Sequence, residues 1–236
     1  MHLPLRSLVT GATSGIGRAL ALELARRGHA LAICGRDEAR LEAVASDCRS
    51  AGASRVLARA FCVGSEPAIT GFVADAVAGL GGLDLLVNNA GLNCSRAPVA
   101  ELRTEDLDWM YTVNCRAPMV FIRAGFPALK ACGRGRVVNI LSTTCLFGSE
   151  GLAGYTASKM AAEGITRVFR KEAKAAGIAV TAVYPGGVDT AFRPNARPEY
   201  MRPESVALAV AGLLDIGAGA DVHELVLRPP CEGNHC

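Results

Sequence analysis

The stretch VTGATSGIG, residues 9–17, decides the fold of this chain. It joins a short aliphatic run to an Ala- and Leu-rich segment of helical period, so it lies between a strand and a helix. Gly11 permits a tight turn, while Gly15 and Gly17 let the backbone approach a ligand and let the helix approach the sheet. The N-terminus of such a helix offers free N–H groups to a phosphate. Taken alone, the stretch can equally be a generic glycine turn.

Strand-like runs alternate with helical segments along the rest of the chain. The strand-like runs are residues 7–10, 30–34, 55–61, 83–88, 136–141, 178–183 and 222–227. The helical segments are 15–27, 37–51, 66–79, 104–131, 152–176 and 203–216. Apolar strands separated by amphipathic helices are typical of βαβ units. We therefore expect an α/β fold: a Rossmann-type doubly wound parallel sheet of about seven strands, with helices on both faces, in a single NAD(P)-binding domain over residues 1–236.

Composition excludes several classes of function. The 236 residues are 50% hydrophobic and 20% charged with a net charge of +3, and they contain no basic block, so we expect no nucleic-acid partner. No apolar run is long enough to cross a bilayer, and the few residues before the first strand leave no room for a secretory signal. The nine cysteines are odd in number and form no C-x-x-C pair. Reduced thiols and a cytoplasmic location follow, and the CEGNHC tail (231–236) is interpreted as a tail, with no metal site.

The residues that follow the second predicted strand select the nucleotide. An acidic residue there would accept a hydrogen bond from the ribose 2′-hydroxyl of NAD, but this chain has Arg36. A guanidinium can bind a 2′-phosphate through two parallel N–H bonds, and Ser14 can add a hydroxyl. The sequence therefore favours NADP(H) over NAD(H). The alternative is that Arg36 only pairs with Asp37 or Glu38.

The stretch STTCLFGSEGLAGYTASK, residues 142–159, carries the candidate chemistry. Tyr155 and Lys159 lie one turn apart on one helix face. A neighbouring ammonium favours the phenolate and makes a tyrosine a usable proton donor and acceptor near neutral pH. Ser142, at the end of the fifth predicted strand, can donate a hydrogen bond to the same carbonyl oxygen that Tyr155 protonates. These groups suit carbonyl reduction, with the hydride supplied by a nicotinamide cofactor.

Six motifs occur together in one order: TGATSGIG (10–17), NNAG (88–91), VN (113–114), Ser142, YTASK (155–159) and PGGVDT (185–190). With them the chain resembles the short-chain dehydrogenase/reductase family, in its short single-domain form, and especially its NADPH-dependent ketone and 3-oxoacyl reductases. The resemblance implies that Tyr155 is the acid/base and that Ser142 orients the substrate oxygen. It implies that Lys159 tunes Tyr155 and holds the nicotinamide ribose, and that Asn114 positions a water in a proton relay.

The resemblance also implies a cofactor-binding set. Its members are Gly11, Ser14, Gly15, Ile16, Gly17, Arg36, Val63, Asn89, Ala90, Gly91, Tyr155, Lys159, Pro185, Gly186, Val188 and Thr190. One position departs from the family, which commonly has Asp after the third strand to bind the adenine amino group. Cys62 stands there, and only the backbone of Val63 remains to serve adenine.

The substrate pocket is expected to be mildly apolar. Its predicted wall comprises Leu92, Asn93, Thr144, Cys145, Leu146 and Gly187. A short lid over 191–202 carries Arg193, Arg197 and Arg202, which suit an anionic or carrier-linked substrate or are simply solvated loop charges. A small ketone, a 3-oxoacyl thioester or an aromatic polyketide-like carbonyl would fit.

The expected function is reduction of such a carbonyl with NADPH. The same residues catalyse the reverse reaction, so an NAD(P)⁺-dependent secondary-alcohol dehydrogenase stays open. A non-catalytic nucleotide-binding regulator is the alternative from another class, although such a protein should lack part of the Ser142, Tyr155 and Lys159 set. By the resemblance, the long helices at 104–131 and 152–176 form a dimer interface, so we expect a homodimer or homotetramer.

Overall fold

The computed structural model describes residues 4–192, 195–216 and 219–232. Its described strands form one parallel sheet in the order β3-β2-β1-β4-β5-β6-β7. The strands are β1 (Arg6–Thr10), β2 (Ala30–Gly35), β3 (Arg55–Ala60), β4 (Leu85–Asn88), β5 (Arg136–Ile140), β6 (Ala179–Pro185) and β7 (Glu224–Leu227). The predicted doubly wound α/β sheet with helices on both faces is confirmed.

The helices cover the two faces of the sheet. They are α1 (Gly15–Arg26), α2 (Glu38–Ala51), α3 (Glu66–Leu80), α4 (Thr104–Tyr111), α5 (Ala117–Ala131), α6 (Ala153–Lys174) and α7 (Pro203–Gly212). Helices α1, α2 and α7 share one apolar core, and α3, α5 and α6 share the other. Successive residues of a strand serve opposite faces, so in β1 Leu8 packs into the second core and Val9 into the first. Each such fully buried side chain contributes about 1.5–3 kcal/mol.

The predicted helix over 104–131 contains an unexpected π-helical turn. Residues Thr112–Arg116 widen the helix between α4 and α5, and Asn114 lies inside this turn. Residue periodicity does not reveal such a turn, because its apolar positions continue the pattern on both sides. At the other end of the chain, α7 stops at Gly212 and a short 3-10 turn, Leu213–Asp215, completes the predicted segment 203–216.

The strand order places a topological switch point between β1 and β4. From β1 the chain moves outward to β2 and β3, and from β4 it moves the other way to β5, β6 and β7. The loops that leave β1 and β4 therefore diverge and open a crevice at the carboxyl ends of the strands, where α/β sheets bind ligands.

The amino end of the sheet is closed by an ion-pair cluster around Asp84. This carboxylate is 0% exposed and accepts hydrogen bonds from Arg6 Nε at 2.8 Å and Arg134 Nε at 3.1 Å. Burial alone would raise the pKa of Asp84, but the hydrogen bonds from Arg6 and Arg134 hold it well below its usual range. Nearby, Ser7 Oγ lies 3.1 Å from His29 Nδ1, and burial lowers the pKa of His29 to about 4. The polar side chains named here at the amino end of the sheet therefore find their partners within the protein.

No helix among the described segments combines the length and apolarity needed to cross a membrane.

Candidate active site

A cleft of about 660 Å³ lies at the carboxyl ends of the strands, over the switch point. Most residues predicted to bind cofactor or substrate line it, although they are far apart in sequence. These are Gly11, Ser14, Gly15, Ile16, Arg36, Val63, Asn89, Ala90, Gly91, Leu92, Asn93, Ser142, Thr144, Tyr155, Lys159, Pro185, Gly186, Val188 and Thr190. The size of the cleft suits an extended ligand with several parts.

The glycine loop is tightly built against the loop that follows β4. Gly11 has φ of +67°, and a Cβ there would lie 2.8 Å from Ala90 Cα. Gly15 has φ of +54° and faces the Thr190 side chain, which a Cβ would approach to 3.2 Å. Gly17 lies outside the cleft lining, since the Gly11 carbonyl and the Asn89 amide occupy the space a side chain would need. Gly17 therefore brings α1 close to the loop and leaves ligand contact to the other two glycines.

The N-terminus of α1 opens into the cleft, where Ser14, Gly15 and Ile16 form part of the lining. Ser14, the N-cap residue, is extended (φ −162°, ψ 175°) and its side chain makes no capping hydrogen bond. The first turn of α1 contains no acidic residue. The backbone N–H groups and the helix dipole can thus bind a diphosphate, and the glycines beneath leave room for one.

Arg36 stands at the end of β2 on the wall of the cleft, and its side chain is exposed. Its neighbour Asp37 caps α2 by accepting from the Arg40 N–H at 2.9 Å and pairs with the Arg40 guanidinium at 3.2 Å. Among the described residues, Arg36 itself makes no ion pair. The alternative pairing of Arg36 with Asp37 or Glu38 is therefore not found among the described residues. A 2′-phosphate on a ribose held beside Ser14 fits this position.

The loop after β4 is fixed to β1 by a hydroxyl and an amide. The Thr10 hydroxyl accepts from the backbone N–H groups of Asn89 at 3.0 Å and Ala90 at 2.9 Å. The Asn89 side chain in turn donates to the Thr10 carbonyl at 2.9 Å. Deeper in the sheet, Asn88 donates to Asn139 Oδ1 at 2.9 Å and ties β4 to β5. These asparagines hold the floor of the cleft in place.

Ser142, Tyr155 and Lys159 come together on one wall of the cleft. Ser142 follows β5, and its Oγ accepts from the Thr144 N–H at 3.2 Å, which leaves the hydroxyl hydrogen to donate elsewhere. Tyr155 and Lys159 project from the first two turns of α6. Lys159 Nζ lies 5.9 Å from the centroid of the Tyr155 ring.

Lys159 is a buried cation with little local compensation. It is 4% exposed, and its ammonium donates to the Ile140 carbonyl at 2.9 Å. Burial lowers the pKa of Lys159 from 10.5 to about 8. An ammonium in this setting stabilises a developing negative charge on the nearby phenol oxygen more strongly than a solvated one would.

Asn114 shapes the site from behind. Its Oδ1 accepts from the Leu92 N–H at 2.8 Å, and its Nδ2 donates to the Leu92 carbonyl at 2.8 Å and to Ser158 Oγ at 2.9 Å. Its amide is thus occupied by the loop after β4, so it does not line the main cleft. A small cavity of about 10 Å³, roughly the space for one water, lies between Asn114 and Lys159. The predicted water relay has a place there and stays a prediction.

The substrate end of the cleft differs from the predicted wall. Three predicted residues are absent from the described lining: Cys145, Leu146 and Gly187. Cys145 turns into a small core with Cys115 and Leu141, because Thr143–Cys145 forms a 3-10 turn. Leu146 faces solvent. Gly187 is buried, with the Tyr200 ring above its Cα.

Other side chains complete the substrate end. Phe192 packs beside Tyr155 with ring centroids 5.8 Å apart, and Tyr200 also lines the cleft. Asn93 and Thr144 also line the cleft, and Asn93 Oδ1 and Thr144 Oγ1 are buried without a hydrogen-bond partner among the described residues. Of the predicted lid arginines, Arg197 pairs with Glu199 at 3.6 Å on the surface, which agrees with solvated loop charges. Arg193 lies outside the described residues.

The C-terminal segment returns to the cleft, which the sequence did not indicate. Glu232 lines it, and its carboxylate accepts from the Gly187 N–H at 2.8 Å and pairs with Arg228 at 3.2 Å. The Arg228 guanidinium lies over the Phe147 ring, 5.2 Å from its centroid. No local motif predicts these contacts, since they join residues brought together only by the fold. Thr13, Arg96, Trp109 and Glu150 are further lining residues that carried no sequence signal.

The protein has a Rossmann-type α/β fold. This follows from the order of the strands and from the glycine turn that leads into the N-terminus of α1. The family profile described as short chain dehydrogenase matches residues 6–201, and the chain belongs to this family. It is thus an oxidoreductase of a family that uses a nicotinamide cofactor and acts on small molecules.

Similar proteins include reductases and a dehydrogenase. A Streptomyces violaceoruber protein named as ketoacyl reductase 1 of the granaticin polyketide synthase is 38% identical over 200 residues, covering 82% of this chain and 71% of its own. The NADPH-dependent pterin aldehyde reductase of Arabidopsis thaliana is 33% identical over 217 residues, 90% of this chain and 88% of its own. The alcohol dehydrogenase of the archaeon Thermococcus sibiricus, solved with 5-hydroxy-NADP, is 29% identical with a TM-score of 0.91 and 98% coverage of both chains.

Proposed function

We propose that the chain is an NADP(H)-dependent reductase of a ketone, and that residues 1–236 form one catalytic domain. The observation that carries the proposal is the meeting of Ser142, Tyr155 and Lys159 in the same cleft as the glycine turn. A protein that only bound a nucleotide would need the turn but not this group of side chains.

Recognition of NADP(H) rests on the end of β2. Arg36 makes no ion pair within the described chain. It lines the same cleft as Ser14, whose hydroxyl makes no capping hydrogen bond to α1. A carboxylate at this place would repel a 2′-phosphate, and none lines this part of the cleft in the described residues. The NADPH dependence of the Arabidopsis relative and the NADP analogue in the Thermococcus enzyme agree with this preference.

A nicotinamide cofactor held in this cleft would supply the hydride that the carbonyl carbon needs. The Tyr155 hydroxyl gives its proton to the carbonyl oxygen, and the buried Lys159 ammonium stabilises the phenolate that remains. The Ser142 hydroxyl donates a hydrogen bond to the same oxygen and fixes its position. The phenolate regains a proton by way of Lys159 and a water in the cavity beside Asn114.

The substrate end favours a carbonyl compound with apolar and polar parts. Phe192, Tyr200 and Leu92 provide apolar contact, while Asn93 and Thr144 are polar residues of the same lining. We propose a small ketone, a 3-oxoacyl thioester or a polyketide-like carbonyl as the substrate class. The granaticin relative supports an acyl or polyketide substrate.

The chain should act as a homodimer or homotetramer, and a cytoplasmic location stays a prediction. Helices α5 and α6 carry an apolar groove of about 630 Å³ at the surface, with Phe126, Ile165 and the largely exposed Val168 among its lining. A second copy of the chain would cover it, and Leu208 of α7 and Val226 of β7 are further exposed apolar side chains that an assembly could bury. A monomer in light scattering at micromolar concentration would contradict this assembly.

The test measures NADPH and NADH consumption against a panel of ketones, diketones and 3-oxoacyl thioesters. Tyr155→Phe should abolish turnover while NADPH binding persists. Tyr111→Phe is the matched control, because Tyr111 is exposed and lies outside the described lining of the cleft. Faster turnover of alcohols with NADP⁺ would favour the dehydrogenase, and tight NADPH binding without turnover in either direction would favour the regulator.

A further inference from the structure

The position of the adenine ring follows from the order of the strands. A dinucleotide whose diphosphate lies at the N-terminus of α1 extends its adenosine ribose toward the end of β2. The next strand outward is β3, so the base of such a dinucleotide would lie against the residues that follow β3. These are Phe61, Cys62 and Val63, all of which line the cleft.

This part of the cleft offers little side-chain hydrogen bonding to a base. Phe61 and Val63 are apolar, and Cys62 carries an exposed thiol, which is a weak acceptor. The family resemblance places a carboxylate where Cys62 stands. Something other than a side-chain hydrogen bond must therefore hold the base.

Trp109 faces the same part of the cleft from α4. It lies one turn before Val113, which also lines the cleft, and is 36% exposed. One edge of its ring packs on Gly64, where a Cβ would lie 2.8 Å from both Cη2 and Cζ3. The absence of a side chain at Gly64 thus lets the indole reach over the loop that follows β3.

The loop that follows β3 is also held without Trp109. The Ser65 N–H donates to the Cys62 carbonyl at 3.1 Å, and Ser65 Oγ caps α3 by accepting from the Ala68 N–H. Arg116 donates to the Gly64 carbonyl at 3.5 Å. The exposed part of the indole is therefore available for contact with a ligand.

We propose that Trp109 is the wall on which the adenine ring of the cofactor stacks, and that this contact replaces the side-chain hydrogen bond missing at Cys62. The inference rests on the proposed function and specifies its adenine subsite. Stacking of a base on an aromatic side chain changes affinity by about 5- to 150-fold. The indole offers the largest aromatic surface of any side chain for this purpose.

The chain contains one tryptophan, so its fluorescence reports on this site alone. Titration of the wild-type protein with 2′,5′-ADP should quench the emission excited at 295 nm. Nicotinamide mononucleotide, which lacks the base, should leave it unchanged. Calorimetry measures the binding of both ligands independently of the fluorescence and of any enzymatic turnover.

Two variants separate base contact from a structural role. Trp109→Ala should raise the Kd of 2′,5′-ADP about 5- to 150-fold, whereas Trp109→Phe should retain most of the affinity. Inorganic pyrophosphate, which has no base, should bind both variants as it binds the wild type. Tyr111→Ala, on the same helix and outside the described lining, is the matched control and should change neither Kd.

The outcomes distinguish this inference from the proposed function. Two results would contradict stacking of the adenine on Trp109 and leave NADP(H) binding intact. One is binding of 2′,5′-ADP without quenching, and the other is the same Kd for 2′,5′-ADP in Trp109→Ala as in the wild type. Equal weakening of 2′,5′-ADP and pyrophosphate in Trp109→Ala would overturn it in favour of a role in shaping the loop. If neither 2′,5′-ADP nor NADPH binds the wild type, the proposed function itself fails.

Discussion

The two ends of the same sheet treat polar groups in opposite ways. At the amino end, the buried Asp84 carboxylate is bonded by Arg6 and Arg134, so its charge is satisfied within the chain. At the carboxyl end, the buried Lys159 ammonium donates to the Ile140 carbonyl and pairs with no carboxylate among the described residues, and Arg36 likewise makes no ion pair there. Charged groups that are paired with one another contribute to stability. Charged groups that lack an opposite charge beside a cleft are available to bind a ligand.

Replacement of Lys159 should give the largest change. Lys159→Met should lower kcat for ketone reduction by about 100- to 10,000-fold, since the phenolate of Tyr155 loses its counter-charge. The same change should raise the free energy of unfolding by about 1–3 kcal/mol at neutral pH, because a poorly compensated buried cation is removed. Steady-state kinetics and urea unfolding measure the two effects.

The pH dependence sharpens this prediction. The folded-state pKa of Lys159 is lowered from 10.5 to about 8, so the unfolded chain holds the proton more tightly. The destabilisation is therefore complete below pH 8 and disappears as pH rises to 10.5. Lys171→Met, on the exposed side of α6, is the control. A Lys159→Met protein less stable than wild type at pH 7 would contradict the contrast between the two ends.

Replacement at the amino end should have the opposite pattern. Asp84→Asn should lower the free energy of unfolding by about 2–4 kcal/mol, since Arg6 and Arg134 lose a shared buried partner. The value of kcat should stay within about twofold of wild type while the protein remains folded, because the cluster and the cleft lie at opposite ends of the strands. Asp75 forms an exposed ion pair with Arg59, so Asp75→Asn should lower the free energy of unfolding by about 1 kcal/mol or less. A large loss of kcat in Asp84→Asn would show that the two ends are coupled.

Arg36 tests the specificity of the carboxyl end. Arg36→Leu should raise the Kd of 2′,5′-ADP about 10- to 100-fold, since a charge-assisted contact with the 2′-phosphate is lost. The Kd of 5′-ADP, which lacks that phosphate, should change little. Arg40→Leu is the matched control, because Arg40 is engaged by Asp37. Calorimetric Kd values that rise equally for both nucleotides would exclude a 2′-phosphate contact.

The smallest expected effect concerns His29, which should change only how the free energy of unfolding depends on pH. Its folded-state pKa is lowered to about 4 by burial, with the positive charges of Arg27 and Arg134 adding to the shift and Asp84 and Asp215 opposing it. As the pH falls, His29 is therefore protonated in the unfolded chain before it is protonated in the folded chain. The free energy of unfolding should consequently fall by about 1–2 kcal/mol between pH 7 and pH 5.

Unfolding in urea at several pH values measures this slope. The pKa of Asp84 lies well below that interval, so its protonation does not contribute there. His29→Gln should flatten the slope, and an unchanged slope in that variant would assign the pH dependence to other groups.

Much of the fold and the chemistry could be predicted from the sequence because their signals are local. Strand composition, the glycine spacing and the Tyr155–Lys159 pair each lie within a few residues of chain. The parallel sheet then brings the ends of different strands together.

Other features depend on long-range contacts or small changes of backbone. The sequence gives no sign of the π-helical turn at Thr112–Arg116 or of the 3-10 turn that sends Cys145 into the core. The Asp84 cluster joins three residues that are distant in sequence. Trp109 packs on Gly64, where the Cβ of any other residue would lie 2.8 Å from the indole ring. Such features follow from packing, which a one-dimensional pattern does not contain.

The return of Glu232 to Gly187 has a consequence for engineering the protein. The hydrogen bond at 2.8 Å makes the last described residue a support of the loop after β6. A truncation that removed Glu232 would therefore leave the Gly187 N–H without its carboxylate partner and weaken the support of the loop beside the cleft.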